Sequence, residues 1–128
     1  HPTDAGLDLT VLGVIKILDD NVALFDTGIA VTPPDGYYTE VVLRSSASKL
    51  GISLANGTGI IDPAYTGSIM MAIRFHKTVS LSPNIYEPIE NTCIGQLLVK
   101  PLILLEVEEV EELTTTVRGD GGFGSTGR

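Results

Sequence analysis

Short runs of apolar residues alternate along the chain with Gly, Pro, Asn and Asp. Val, Ile, Leu and Thr dominate 7–16, 22–31, 37–44, 67–76, 84–89 and 94–99, and each run reads as a strand. Between them lie Leu18-Asp19-Asp20-Asn21, Thr32-Pro33-Pro34-Asp35-Gly36 and Leu81-Ser82-Pro83-Asn84. These are turn compositions, in which Pro presets φ and Gly or Asn tolerates the bend. Turns spaced roughly 8–12 residues apart predict an all-β sandwich or barrel. Residues 44–50 are expected to form at most one short helix, with Ser45 or Ser46 near its start. No internal repeat is visible.

The stretch 102–113 can be read two ways. Val107, Val110 and Leu113 recur at every third position, whereas Leu102-Ile103-Leu104-Leu105 favours a strand. The glutamates from Glu106 to Glu112 read most simply as a solvated edge. The tail differs again. Five of the last ten residues are glycine, so it is expected to move when nothing is bound. The chain has no Trp and only three Phe, which leaves the core to aliphatic residues and makes Phe123, alone in that tail, notable. Gly-rich backbone with Ser and Thr cradles phosphate, Arg matches its geometry, and an aromatic can stack on a base.

A chain of 128 residues fits one domain. A formal charge of −8 argues against a general nucleic-acid binder, which needs a basic face. It leaves room for a polyanionic small ligand held by locally gathered Arg and a divalent cation. The one cysteine, Cys93, cannot make an intrachain disulfide, and no Cys/His cluster is present. No apolar run approaches the ~18 residues of a membrane span. These features together predict a cytoplasmic protein. The opening His1-Pro2-Thr3-Asp4 reads as mid-sequence, so a leading segment is expected before it.

Five short motifs stand in order along nearly the whole chain: Ala5-Gly6-Leu7-Asp8-Leu9; Arg44-Ser45-Ser46-Ala47 with Lys49 and Gly51; Gly59-Ile60-Ile61-Asp62-Pro63-Ala64-Tyr65-Thr66-Gly67; Ile94-Gly95-Gln96-Leu97; and the 118–127 tail. In this combination the chain resembles the trimeric dUTPases. The resemblance implies a distorted jelly-roll β-barrel or sandwich over 1–117 and an arm at 118–128 that closes over the active site. It implies hydrolysis of dUTP to dUMP and pyrophosphate, with Mg²⁺ as cofactor and a homotrimer sharing its sites between subunits. That reaction limits uracil incorporation into DNA and supplies dUMP for thymidylate synthesis.

Residue roles follow from the same resemblance. Asp62 matches the carboxylate that activates water, although an Asp before Pro63 also suits a turn. Tyr65 matches the tyrosine that packs on deoxyribose and excludes a 2′-hydroxyl. Asn56 matches a base-contacting Asn on a β-hairpin that reads uracil with main-chain groups, among them those of Gly59 and Ile61. Arg44, Ser45 and Ser46 match the phosphate-binding motif, Ser46 standing where Gly is common; a helix cap is the plainer role for Ser45. Gln96 matches a glutamine near the phosphates, with Gly95 in place of the usual Ala. Asp8 matches the aspartate that holds Mg²⁺ through water. Arg118 matches the γ-phosphate arginine, Phe123 the residue over the uracil, and Gly122, Gly124, Ser125 and Thr126 the phosphate-contacting arm.

Two other readings compete. A dCTP deaminase of the same structural family needs a Glu on the strand after the third motif, where this chain has Ala72. A non-catalytic nucleotide- or partner-binding module would be free to lose Asp62, Arg118 or Phe123, and all three are present.

Overall fold

The computed structural model describes residues 1–76, 89–125 and 127. Residues 84–88 of the strand expected at 84–89, and the contact expected of Thr126, lie outside the described residues; Ile89 itself is buried in a turn, its carbonyl accepting from Thr92 N at 3.1 Å. Among the described residues, eight strands form two four-stranded antiparallel sheets: β1 (Leu7–Val11), β2 (Val14–Asp19), β3 (Val22–Asp26), β4 (Tyr37–Leu43), β5 (Ile52–Leu54), β6 (Gly59–Ile61), β7 (Met70–Phe75) and β8 (Thr92–Pro101). One sheet has the order β1-β8-β4-β6 and the other β2-β3-β7-β5. The architecture is thus the expected all-β sandwich, and the described strands do not close into a barrel. A five-residue 3-10 helix, Ser45–Lys49, is the one short helical element among the described residues.

Alternation carries the core. In β7 the residues Met71, Ile73 and Phe75 point inward while their neighbours do not. They pack with Leu9 and Val11 of β1, Ala23 and Phe25 of β3, Val41 of β4, and Ile94 and Leu97 of β8. The absence of Trp leaves this core largely aliphatic.

Several expected strands change where the chain turns between sheets. The run 7–16 splits at Leu12-Gly13 because β1 belongs to one sheet and β2 to the other. The corner is pinned by Leu12 N donating to Asp26 O at 2.8 Å and Asp26 N donating to Gly13 O at 3.1 Å. The run 22–31 ends as a strand at Asp26, whose side chain accepts from Gly28 N at 3.1 Å and turns the backbone. Gly28 there has φ +69°, a conformation that favours glycine. The hairpin expected around Asn56 is instead a corner. Its flanking strands join different sheets, β5 pairing with β7 and β6 with β4.

The segment after Pro101 is not a strand. Leu102 N still donates to Gly36 O at 2.8 Å, but 103–117 has no regular structure, and the glutamates from Glu106 to Glu112 lie in solvent. Pro101 pairs with Tyr37, the first residue of β4, so the pairing with β4 ends there.

Candidate active site

Three neighbouring strands bring the first, second and fourth motifs together. Asp8 of β1 stands opposite Gln96 of β8, which stands opposite Val42 of β4. Directly paired residues share a face, so Asp8 and Gln96 project side by side. Arg44 follows the last residue of β4 and donates its backbone N–H to Ile94 O at 2.7 Å. Its guanidinium then reaches back: Nε lies 3.3 Å from Asp8 Oδ1, and Nη1 lies 3.4 Å from Cys93 O and 3.3 Å from Cys93 Sγ. Asp4, Ala5, Gly6, Asp8, Arg44, Ser45 and Gln96 line an open cleft of about 280 Å³.

The first-motif glycine has a spatial reason. A Cβ on Gly6 would collide with Oε1 of Gln96 and come within 3.1 Å of its Cβ. The Gln96 amide also donates from Nε2 to Leu43 O at 3.4 Å. The expectation of Ser45 as a helix cap does not hold. Arg44 occupies the cap position, in extended conformation, and no side chain caps the turn. Ser45 and Ser46 both face solvent, Ser45 in the lining of the cleft and Ser46 next to it in sequence. At Gly95 an added methyl would fall 2.7 Å from Cε of Met71, so Met71 fills the space of the usual Ala side chain.

Asp62 is elsewhere. It follows β6, and its carbonyl accepts from Tyr65 N at 3.0 Å, closing a turn over Pro63 and Ala64. The turn-forming expectation is therefore met by the backbone, which leaves the carboxylate exposed beside a second groove of about 350 Å³. That groove is lined by Tyr38, Ile60, Pro63, Pro101, Leu102 and Ile103 besides Asp62. β6 runs antiparallel to β4 with Ile61 opposite Thr39, which sets Asp62 beside Tyr38. Arg44 lies six positions further along that strand, a span of roughly 20 Å at about 3.3 Å per residue. One chain does not bring the carboxylate to the cleft.

The other candidates occupy further regions. Asn56 is exposed on the β5–β6 corner, where Gly57 N donates to Leu54 O at 3.0 Å with φ +72° at Gly57. Gly59 and Ile61 pair with Val41 and Thr39. The Tyr65 hydroxyl donates to Ser68 O at 2.7 Å. The described tail is a series of turns bonded to itself: Arg118 Nε donates to Gly121 O at 2.7 Å, Gly121 N to Arg118 O at 3.2 Å, and Ser125 N to Gly122 O at 3.0 Å. Phe123 is fully exposed at φ +45°, Gly122 is exposed beside it, Gly124 adopts φ +80°, and Ser125 faces solvent. None of these tail residues lines either groove.

Position 72, where a deaminase needs its acid/base Glu, is a half-buried Ala in β7 whose carbonyl accepts from Ala55 N at 2.8 Å. Sequence reasoning missed two polar groupings. On the outer face of β4 and β8, Glu40 is only 8% exposed; Lys100 Nζ lies 2.6 Å from Glu40 Oε2, and Tyr38 donates to the same oxygen at 3.1 Å. The bond from Lys100 holds the Glu40 carboxyl below its usual range, with Tyr38 adding to the effect; the Lys100 ammonium and the Tyr38 phenol are both pushed up by Glu40. The second grouping joins Asp26 to Ser68. Strand alternation could have put Tyr38 and Glu40 on one face, but nothing local ties Asp26 to a residue 42 positions away.

The dUTPase family model matches residues 1–127. The deoxyuridine 5'-triphosphate nucleotidohydrolase of Corynebacterium jeikeium (strain K411) is 43% identical over 134 residues, spanning 99% of this chain and 82% of that protein. A point mutant of the Staphylococcus bacteriophage 80alpha dUTPase with dUpNHpp aligns with TM-score 0.78 at 27% identity, over 98% of this chain and 88% of that one. A mutant dUTPase from phage phi11 of S. aureus, whose structure concerns coordination of a structural Mg(II) ion, aligns with TM-score 0.65 at 25% identity, over 90% and 88%. Through its fold, its ordered motifs and these relatives, the chain belongs to the dUTPase family.

Proposed function

We propose that the protein hydrolyses dUTP to dUMP and pyrophosphate, as a homotrimer in which the cleft of one chain meets Asp62 of another. The observation that carries the shared site is the separation of Arg44 and Asp62 toward opposite ends of β4. A carboxylate roughly 20 Å from the phosphate cleft cannot act there from the same chain. A second copy that sets its Asp62 groove against the cleft completes the constellation.

In that arrangement the triphosphate lies against Arg44, Ser45, Ser46 and Gln96. Arg44 supplies directed N–H donors, and its contact with Asp8 keeps the guanidinium on the cleft side. Asp62 takes a proton from a water that attacks the α-phosphorus in line. The bond from that phosphorus to the bridging oxygen breaks, and pyrophosphate leaves. Tyr65 packs on the sugar, and the corner carrying Asn56, Gly59 and Ile61 reads the uracil edge. Cytosine presents the reverse donor pattern there and would leave buried groups unpaired. The 118–128 arm, with Arg118, Gly122, Phe123, Gly124, Ser125 and Thr126, folds over the bound nucleotide and excludes water.

Asp8 fits a role in holding Mg²⁺. Its carboxylate is exposed and opens into the cleft with Arg44 as its partner. Mg²⁺ takes few protein carboxylates and several waters, so one Asp with the substrate phosphates suffices. When bound, the ion neutralises phosphate charge and fixes the triphosphate for attack. Among the described residues, no helix is long and apolar enough to cross a membrane; we place the activity in the cytoplasm.

The test is pyrophosphate release with Mg²⁺ from dUTP, dCTP, TTP and UTP, with ammonia followed in the dCTP sample. Turnover confined to dUTP is expected. A folded protein that turns over none of them would leave a binding module, and ammonia from dCTP would make it a deaminase.

A further inference from the structure

The proposed chemistry leaves unused a polar network behind Tyr65. Ser68 Oγ donates to Asp26 Oδ1, the same oxygen that accepts from Gly28 N at 3.1 Å. The next residue binds the same turn three times. Ile69 O accepts from Thr27 N at 3.2 Å and from Thr27 Oγ1 at 2.8 Å, and Ile69 N donates to Ile29 O at 2.8 Å. Thr27 and Ile69 are both buried. The loop before β7 is thus fastened to the turn after β3 at two consecutive residues.

The Tyr65 ring hangs from this fastened loop. Its hydroxyl donates to the carbonyl of Ser68, the residue that Asp26 holds by its side chain. Between them, Gly67 leaves the ring its place: a Cβ there would fall 2.7 Å from the Tyr65 hydroxyl oxygen and 2.8 Å from Cζ. An exposed tyrosine would otherwise sample several rotamers, and a ring that discriminates by contact must stand in one. The bond from Ser68, and secondarily that from Gly28, holds the Asp26 carboxyl below its usual range, so it stays an ionised acceptor and the bond stays charge-assisted.

We propose that Asp26 and Ser68 are positioning residues for sugar discrimination: they fix the loop that holds the Tyr65 ring, and so set the slot that admits deoxyribose and turns away ribose. This rests on the reading of Tyr65 as the sugar-facing residue. A bulkier sugar is rejected only as firmly as the wall it meets is held. Loosening the wall therefore changes UTP use more than dUTP use.

The test measures kcat/KM for dUTP and UTP, with thermal melting, in Ser68→Ala, Asp26→Asn, Ser68→Thr and Tyr65→Ala. Ser68→Ala and Asp26→Asn are each expected to lower the dUTP-over-UTP ratio about tenfold, the change appearing mainly for UTP. Ser68→Thr keeps a hydroxyl and is expected to hold the ratio near that of the parent. Ratios unchanged in Ser68→Ala and Asp26→Asn, beside a lowered ratio in Tyr65→Ala, would overturn the positioning role. An equal loss for both nucleotides with a lower Tm would also overturn it, because it marks a network that only stabilises the loop. A ratio that Tyr65→Ala itself leaves unmoved would instead overturn the reading of Tyr65.

Discussion

The two sheets and the segment after Pro101 treat apolar side chains in opposite ways. Within the sheets, Leu9, Phe25, Met71, Ile73 and Ile94 are almost wholly removed from solvent. After Pro101, Leu104 is 87% exposed, Leu105 80% and Val107 95%. Burial is worth roughly 25 cal/mol per Å² wherever it occurs, so the sheets draw it from their own chain while the C-terminal segment can draw it only from another surface. The site divides in the same way. The Asp8–Arg44–Gln96 cleft is assembled within one chain, whereas Asp62 stands in a separate groove and Phe123 is fully exposed. The proposed trimer would account for the second contrast by setting the cleft of one copy against Asp62 of another, and contact between copies would give the exposed C-terminal residues a surface to bury against.

The strongest way to break this comparison is at Asp62. Asp62→Asn is expected to lower kcat by about 10²–10⁴-fold while dUpNHpp still binds by calorimetry. Near-normal turnover would remove Asp62 from the chemistry and leave its separation from the cleft without meaning. A sharper form mixes chains. Asp62→Asn and Arg44→Ala should each be inactive alone, and co-expressed in equal amounts they should recover about a quarter of parental activity, because a quarter of shared sites receive both intact residues. No recovery would place the whole site in one chain.

Deleting 118–128 is expected to reduce turnover by tenfold or more, with sedimentation showing the trimer intact. A truncated chain that is monomeric, or fully active, would show that the tail is not a lid. The smallest effect concerns the sheet side of the comparison. Glu40 is depressed by Lys100, so its contribution to stability is present above the ordinary Glu value near ~4.3 and is lost as pH falls through the lowered folded value. Lys100 is raised by Glu40, so its share is present below ~10.4 and is lost as pH rises through the raised value. Glu40→Gln should therefore lower Tm at neutral pH, and the gap from the parent should close in acid. A gap that persists unchanged at pH 2 would show that the carboxylate charge contributes nothing.

What the sequence by itself determined was local. The apolar run 67–76 predicted a strand, and Thr32-Pro33-Pro34-Asp35-Gly36 predicted a turn. The ordered motifs carried the family and named the candidates for each role. Tertiary structure alone decided what depends on partners far along the chain. It split 7–16 between two sheets, ended a strand at Asp26, and sent β5 and β6 to opposite layers. It also set Asp62 and Arg44 apart along β4 and joined Asp26 to Ser68 across 42 positions. The physical reason is the range of the interactions. Periodicity and turn chemistry act over a few residues and are written in neighbouring letters. Sheet membership, register and the meeting of side chains come from long-range pairing and shared burial, which no short stretch of sequence contains.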